Sequence, residues 1–225
     1  MSLPVRIFEK RTLVERMCDY FCTGPTYLRK AALEQDPVER FKAVIAFVVS
    51  GLHVAASQRK PFNSIIGETF QGQWPDGTKL YLESTGHTPP MLSFLVEHVD
   101  QLYTYEGTFV FTGKMASLGN ALVGRQGGKN RVHFRDGTVI EFEYPFLKMG
   151  GILYGKRTLQ WIEALEFRDA RNGLRAKLEF SQGPGVVYGG NSLPIDCFEG
   201  HISNDGGYKI CKVQGSWLEF LRFNE

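Results

Sequence analysis

The side chains able to do chemistry in this chain are scattered. Five histidines (His53, His87, His98, His133 and His201) and four cysteines (Cys18, Cys22, Cys197 and Cys211) are spread over 225 residues. No G-x-S-x-G, H-E-x-x-H or Walker-type loop occurs, so an elbow nucleophile, a zinc-protease helix and a phosphate-cradling loop all lack their spacing. Cys18 and Cys22 would sit one turn apart on a helix, but no histidine has ligand spacing near them, which favours reduced thiols over a metal centre. Glu68 and Glu83 could be imagined as a carboxylate pair. In its turn context, Glu68 is better suited to bonding backbone or a neighbouring cation. The chain therefore reads as non-enzymatic, with no cofactor and no metal.

Lysine plus arginine number 26 against 24 for aspartate plus glutamate, so no overall field calls for nucleic acid. Local clusters are a different matter. Arg125, Lys129, Arg131, Lys156 and Arg157 could hold the protein against anionic membrane surfaces at roughly 1 kcal/mol each, the alternative being a solvated face. The opening residues lack a basic-then-apolar leader. The longest apolar run, Ala43 to Ala56, is interrupted by Ser50 and His53 and is too short for a bilayer. No Asn-x-Ser/Thr acceptor occurs. These features predict a cytoplasmic protein associated peripherally and transiently with membranes.

Two regions with different periods must position these groups. Through Arg59 the pattern is helical, with Leu13 to Phe21 and Tyr27 to Leu33 as short helices separated by Gly24-Pro25, which should break the chain. After Asp36-Pro37, an N-cap and a first-turn proline precede Val38, Phe41, Val44, Ile45, Val48, Val49 and Leu52 on one face. From Lys60 the period becomes two, and Asp76-Gly77, Asp136-Gly137, Asn172-Gly173 and Asp205-Gly206 signal hairpins. Tyr103, Tyr105, Phe109 and Phe111 share one side of a strand; Ile140, Phe142 and Tyr144 do the same, as do Ala176, Leu178 and Phe180. Consecutive hairpins with one wet face must stack or curl, and closure would remove the exposed edges, which favours a barrel. Aromatic dry faces either fill a solid core or line a cavity for an apolar ligand. Gly124 to Arg131 is the one segment resembling a flexible basic loop. The reading is a single mainly β domain over 1–225, with a helical subdomain at 1–59 and a barrel at 60–225.

From Lys60 the chain runs KPFNSIIGETFQGQWPDGTKLYLESTGHTPPMLSF. It resembles the oxysterol-binding proteins, whose hallmark strings are K-P-F/L-N-P-x-x-G-E-T and E-Q-V-S-H-H-P-P. Lys60, Pro61, Asn63, Gly67, Glu68 and Thr69 match the first; Glu83, His87, Pro89 and Pro90 match the second. Similarity extends from Leu3-Pro4 through Asp36 to Arg40, Tyr154 to Arg157 and Asn172 to Leu174, and so covers nearly the whole chain. The resemblance implies a near-closed antiparallel β-barrel with a hydrophobic tunnel holding a sterol or a phosphoinositide. It also implies that Lys60, Asn63, His87 and Thr88 stand where the family contacts the phosphates of phosphatidylinositol 4-phosphate.

Those residue types suit a phosphate. Lys60 brings a compact cation, Asn63 an amide donor, His87 a ring donor able to take a charge beside an anion, and Thr88 a hydroxyl. Their alternatives are a solvated turn lysine and a satisfied histidine in a Pro-rich turn. Three departures stand out: Thr88 replaces one histidine of the family pair, little chain precedes Leu3-Pro4 where the family has a lid, and a C-terminal subdomain would begin after Glu225. The implied function is binding and transfer of a membrane lipid. The competing function is a non-enzymatic interaction module that keeps the fold and has lost lipid exchange.

Overall fold

The computed structural model describes Val5 and residues 8–57, 59–181, 187–188, 191–192 and 194–224, with backbone alone at 187–188 and 191–192. Leu3 and Pro4, part of the motif similarity, lie outside the described residues. Thr12 caps α1 (Leu13–Met17): its hydroxyl accepts from the Glu15 N–H while the Glu15 carboxylate accepts from the Thr12 N–H at 2.8 Å. A 3-10 turn, Cys18–Phe21, follows. The Gly24-Pro25 pair expected to break the chain instead opens α2 (Gly24–Leu33), because a first-turn proline has no helical hydrogen bond to lose. α3 (Pro37–Gly51) begins as its sequence predicts, with the Asp36 carboxylate accepting from Val38 and Glu39 N–H groups at 2.7 and 3.2 Å. Phe41, Lys42, Val44, Ile45, Phe47 and Val48 are all buried, so α3 is enclosed around most of its circumference.

A strand that alternation did not disclose, β1 (Phe8–Thr12), pairs in parallel with β2 (Lys60–Phe62). Next come β3 (Thr69–Gln73), β4 (Lys79–His87), β5 (Pro90–Glu97) and β6 (Tyr103–Ala116), an antiparallel meander. The far edge of β6 carries two strands in succession, β7 (Ala121–Gly127) and β8 (Asn130–Phe134). The pattern repeats outward: β9 (Val139–Glu143) pairs with β8, and β10 (Phe146–Gly150) with β7. Likewise β11 (Thr158–Ile162) pairs with β10, and β12 (Ala164–Asp169) with β9. β13 (Leu174–Phe180) pairs with β12; a separate pair, β14 (Val187–Tyr188) and β15 (Asn191–Ser192), intervenes before β16 (Cys197–Asn204) returns to β13. β17 (Lys209–Ser216) and β18 (Phe220–Asn224) complete the order.

All four hairpin dipeptides fall between antiparallel neighbours. Asp76 and Asp136 carboxylates accept from the Thr78 and Thr138 N–H groups at 3.0 and 2.9 Å, and Gly77 and Gly137 take left-handed φ values of 86° and 83°. The segment read as a flexible basic loop, Gly124 to Arg131, is instead strand on either side of Gly128-Lys129, because β6 and β10 supply ladder partners along it. The large sheet has fourteen strands and branches at β6, and its three outermost members, β3, β11 and β18, are not hydrogen-bonded to one another among the described residues. The fold is thus mainly β with helices at its start, and among the described residues the sheet does not close into the barrel that alternation favoured.

Alternation left a solid core and a lined cavity both open. Along β6, β9 and β12 the dry faces pack on one another and on α3, with Phe47 5.3 Å from Tyr105 and Phe41 6.2 Å from Phe167 between ring centres. Phe21 from the 3-10 turn lies 4.8 Å from Phe94. Arg40, only 8% exposed, ties three elements together. It donates to Ala31 O at 3.2 Å and Glu34 O at 2.9 Å, at the end of α2, and to Asp136 and Thr138 Oγ1 in the β8–β9 turn, with its guanidinium 5.1 Å above Phe134.

Candidate functional site

The Lys60 motif is held at both ends. Before it, Phe8 of β1 stands beside Lys60 in register and stacks on Phe62 at 4.9 Å. After it, the buried Ser64 accepts the Val14 N–H at 3.1 Å, and Gly67 and Glu68 clip onto β4 through Gly67 N–H to Ser84 O at 2.8 Å and Ser84 N–H to Glu68 O at 2.9 Å. The Glu68 carboxylate accepts the Ile65 N–H at 3.0 Å, the backbone role its turn context suggested. Glu68→Ala should destabilise the chain by about 1 kcal/mol in urea melts, one net hydrogen bond, without unfolding it.

Between these anchors, the Lys60 ammonium donates to Asn63 Oδ1 at 2.8 Å and Pro61 O at 3.1 Å and lies 5.0 Å from the Phe8 ring. Partial burial depresses its pKa from the ordinary lysine value, so an arriving anion would offset the desolvation of the charged form. With Asn63 Oδ1 occupied, the Asn63 amide N–H groups have no protein partner among the described residues and are free to donate. His87 ends β4 opposite Pro90 and is exposed; with Asn63, Leu13 and Met91 it lines one small depression. Asn63 therefore joins the other two: it bonds the Lys60 ammonium and shares the depression with His87. Thr88 is exposed in the β4–β5 turn, and no described contact links it to the other three.

The basic residues read as membrane contacts separate into two places. Lys156 and Arg157 are exposed in the turn between β10 and β11. Arg125 pairs with Glu143 at 2.6 Å and lies 4.9 Å from the Phe146 ring; with the exposed Lys129 it borders a depression of about 1140 Å³ on the wet face of β9, β12, β13 and β16. That depression mixes both signs of charge. Glu141 and Glu143 lie within it beside Arg168 and Lys177, so it offers no single-sign field to a headgroup. Cys18 donates to Val14 O at 3.7 Å, and burial, followed by the neighbouring Asp19, pushes its thiol up to about 12. Among the described residues no cluster of three metal-ligating side chains is placed to hold an ion, and no helix is long and apolar enough to cross a membrane. The sequence reading missed the Phe8 floor beneath Lys60; a lone phenylalanine in a short polar run carries no signal of pairing with a segment so far along the chain.

Comparison with known proteins bears on the whole chain. The family model described as Oxysterol-binding protein matches residues 1–225. Oxysterol-binding protein 9 of Dictyostelium discoideum is 35% identical over 234 residues, covering 96% of this chain and 54% of that protein. Human oxysterol-binding protein-related protein 5 is 29% identical over 222 residues, covering 96% and 24%. Among solved structures, the Osh3 ORD of Saccharomyces cerevisiae in complex with PI(4)P superposes with a TM-score of 0.84 at 23% identity, over 99% of this chain and 58% of that one. The Osh1 ORD domain in complex with cholesterol gives 0.83 at 22%, over 98% and 51%. The chain thus spans about half the length of its Dictyostelium relative and a quarter of the human one. A family model matching all 225 residues and a relative 35% identical over 96% of the chain show that this chain belongs to the oxysterol-binding protein family.

Proposed function

We propose that this chain binds a membrane lipid without altering it and carries it between bilayers. In this reading Lys60, Asn63 and His87 receive an anionic headgroup, with Thr88 at the rim. The carrying observation is that Asn63, with free N–H groups and on a segment pinned by Ser64, Gly67 and Glu68, bonds the Lys60 ammonium and shares a small depression with His87. The PI(4)P and cholesterol held by the structurally similar Osh3 and Osh1 domains indicate the lipid classes, a phosphoinositide or a sterol. Residues 1–225 act as one domain, the helical 1–59 serving a near-closed barrel at 60–225 around an apolar tunnel. It works from the cytoplasm, meeting membranes peripherally, and carries no catalytic group.

Inside the fold, one polar group favours a guest. Gln126 donates to the Tyr20 hydroxyl at 3.0 Å, while its Oε1 is buried with no partner among the described residues. A sterol hydroxyl would satisfy that acceptor, since a buried carbonyl left without a donor is costly. Burying roughly 400 Å² of sterol would gain on the order of 10 kcal/mol before entropy costs. Gln126→Leu should therefore weaken sterol retention about fivefold, one net hydrogen bond, while leaving phosphoinositide retention nearly unchanged.

A second reading, an interaction module that no longer exchanges lipid, is favoured by the packing of the dry faces of β6, β9 and β12 on α3. Native mass spectrometry of the purified chain separates the two. A retained lipid of defined mass is the expected result, and a bare chain after incubation with liposomes would sink the carrier reading.

A further inference from the structure

β6 alternates buried and half-buried residues at its start, but Thr112 to Met115 are exposed on both faces, so the end of the β6–β7 hairpin projects from the body. Its tip is apolar: Leu118 is fully exposed at 101% and Met115 57%. A second turn, between β10 and β11, brings Leu153 and Tyr154 to the same place, 69% and 67% exposed. Asn120 clamps the two turns, its backbone oxygen accepting from Ile152 N–H at 3.1 Å and its Oδ1 from the Leu153 and Tyr154 N–H groups at 2.9 and 3.1 Å. Ser117 and Leu118 are held left-handed, with φ of 50° and 51°, an unfavourable conformation for leucine that keeps its side chain turned to solvent.

The charges around this tip all have one sign. No aspartate or glutamate occurs from Gly107 to Arg135 or from Tyr144 to Ile162, while those stretches carry five and three lysines or arginines. Lys114, Lys156 and Arg157 are exposed and make no ion pair among the described residues. Met115, Leu118, Leu153 and Tyr154 line neither of the two depressions described above. Leucine, methionine and tyrosine ringed by unpaired cations match a bilayer interface, where apolar groups enter the acyl boundary and cations meet anionic headgroups.

We infer that the paired β6–β7 and β10–β11 turns, clamped by Asn120, form an insertion tip that docks this protein on an anionic lipid bilayer. The inference does not depend on a lipid being carried. Flotation of the purified chain with phosphatidylcholine vesicles, with and without phosphatidylserine, tests it. Wild type should float with the anionic vesicles, and Leu118→Asp with Leu153→Asp should lower partitioning at least tenfold, both positions being solvent-exposed. Lys156→Gln should lower it about fivefold, with less loss at high salt. Leu118→Cys carrying an environment-sensitive fluorophore gives a second readout, a blue shift on vesicle addition, should the double variant fold poorly. Unchanged flotation of the double variant, flotation without a blue shift, or no binding to either vesicle would each overturn the inference, the last pointing to a protein partner. Cargo retention by native mass spectrometry on the same variants should stay at wild-type level, which separates failure of docking from failure of carriage.

Discussion

Replacing Lys60 and His87 together by alanine is expected to lower extraction of phosphatidylinositol 4-phosphate from liposomes roughly a hundredfold, about 3 kcal/mol for two contacts to a charged phosphate. Sterol extraction should stay within twofold, because burial of a sterol depends on apolar area and not on the rim. The size of the effect follows from the geometry. Lys60 is already desolvated on one side by Phe8 and orients Asn63 through the 2.8 Å bond, so its loss removes a charge and frees the amide to rotate. Equal extraction of both lipids by the double variant and wild type would show that the headgroup binds elsewhere.

Arg40→Met should lower unfolding free energy by about 3 kcal/mol in denaturant melts, the sum of several hydrogen bonds to one buried guanidinium at roughly 1 kcal/mol each. The methionine would fill much of the volume, but the Ala31 and Glu34 carbonyls would lose their donor, and Phe134 its cation. The partner carboxylate is 45% exposed, so most of the cost arises at the helix end and not at Asp136. The same substitution has a pH signature. Burial raises the Asp136 pKa, but the Thr138 backbone N–H, Arg40 and the Thr138 hydroxyl outweigh it and hold the carboxyl at about 2. A group depressed in this way stabilises the fold above its unfolded value near 4, and that contribution is lost as pH falls toward about 2. In Arg40→Met the carboxyl should rise toward its unfolded value, and the acid dependence of stability between pH about 4 and 2 should flatten.

Much of the sheet was legible because turn chemistry is local. An aspartate or asparagine followed by glycine can bond its own turn and adopt left-handed φ whatever surrounds it, and Asp76-Gly77 and Asp136-Gly137 do so. The cap at Asp36 is equally local. Where neighbours decide, residue types mislead. Glycines and cations in Gly124 to Arg131 suggest a loop, yet β6 and β10 draw most of the segment into strand, a tertiary override of weak β propensity. Sheet closure lies further still from sequence, since it depends on which of the distant edge strands β3, β11 and β18 meet, and none carries information about the others. Around Lys60, Asn63 and His87, which the family resemblance singled out, the fixing bonds from Ser64 and Gly67 have no signal in residue type. The apolar tip at Leu118 escaped notice because exposure is a property of projection from the body and has no residue-type signature.

The parallel pairing of β1 with β2 makes the Lys60 corner depend on a contact between segments far apart along the chain. All three helices must be traversed before Phe8 can reach Lys60, so closure of that loop costs chain entropy that the hairpins of the main sheet avoid. A two-stranded ladder with no fully buried residue does little to offset that cost. Amide protons of Phe8–Thr12 and Lys60–Phe62 should therefore exchange with solvent faster than those of β6 or β9. The corner proposed to receive the headgroup would then assemble late in folding and open first in the native state, a loosened jaw on an otherwise slow-breathing body.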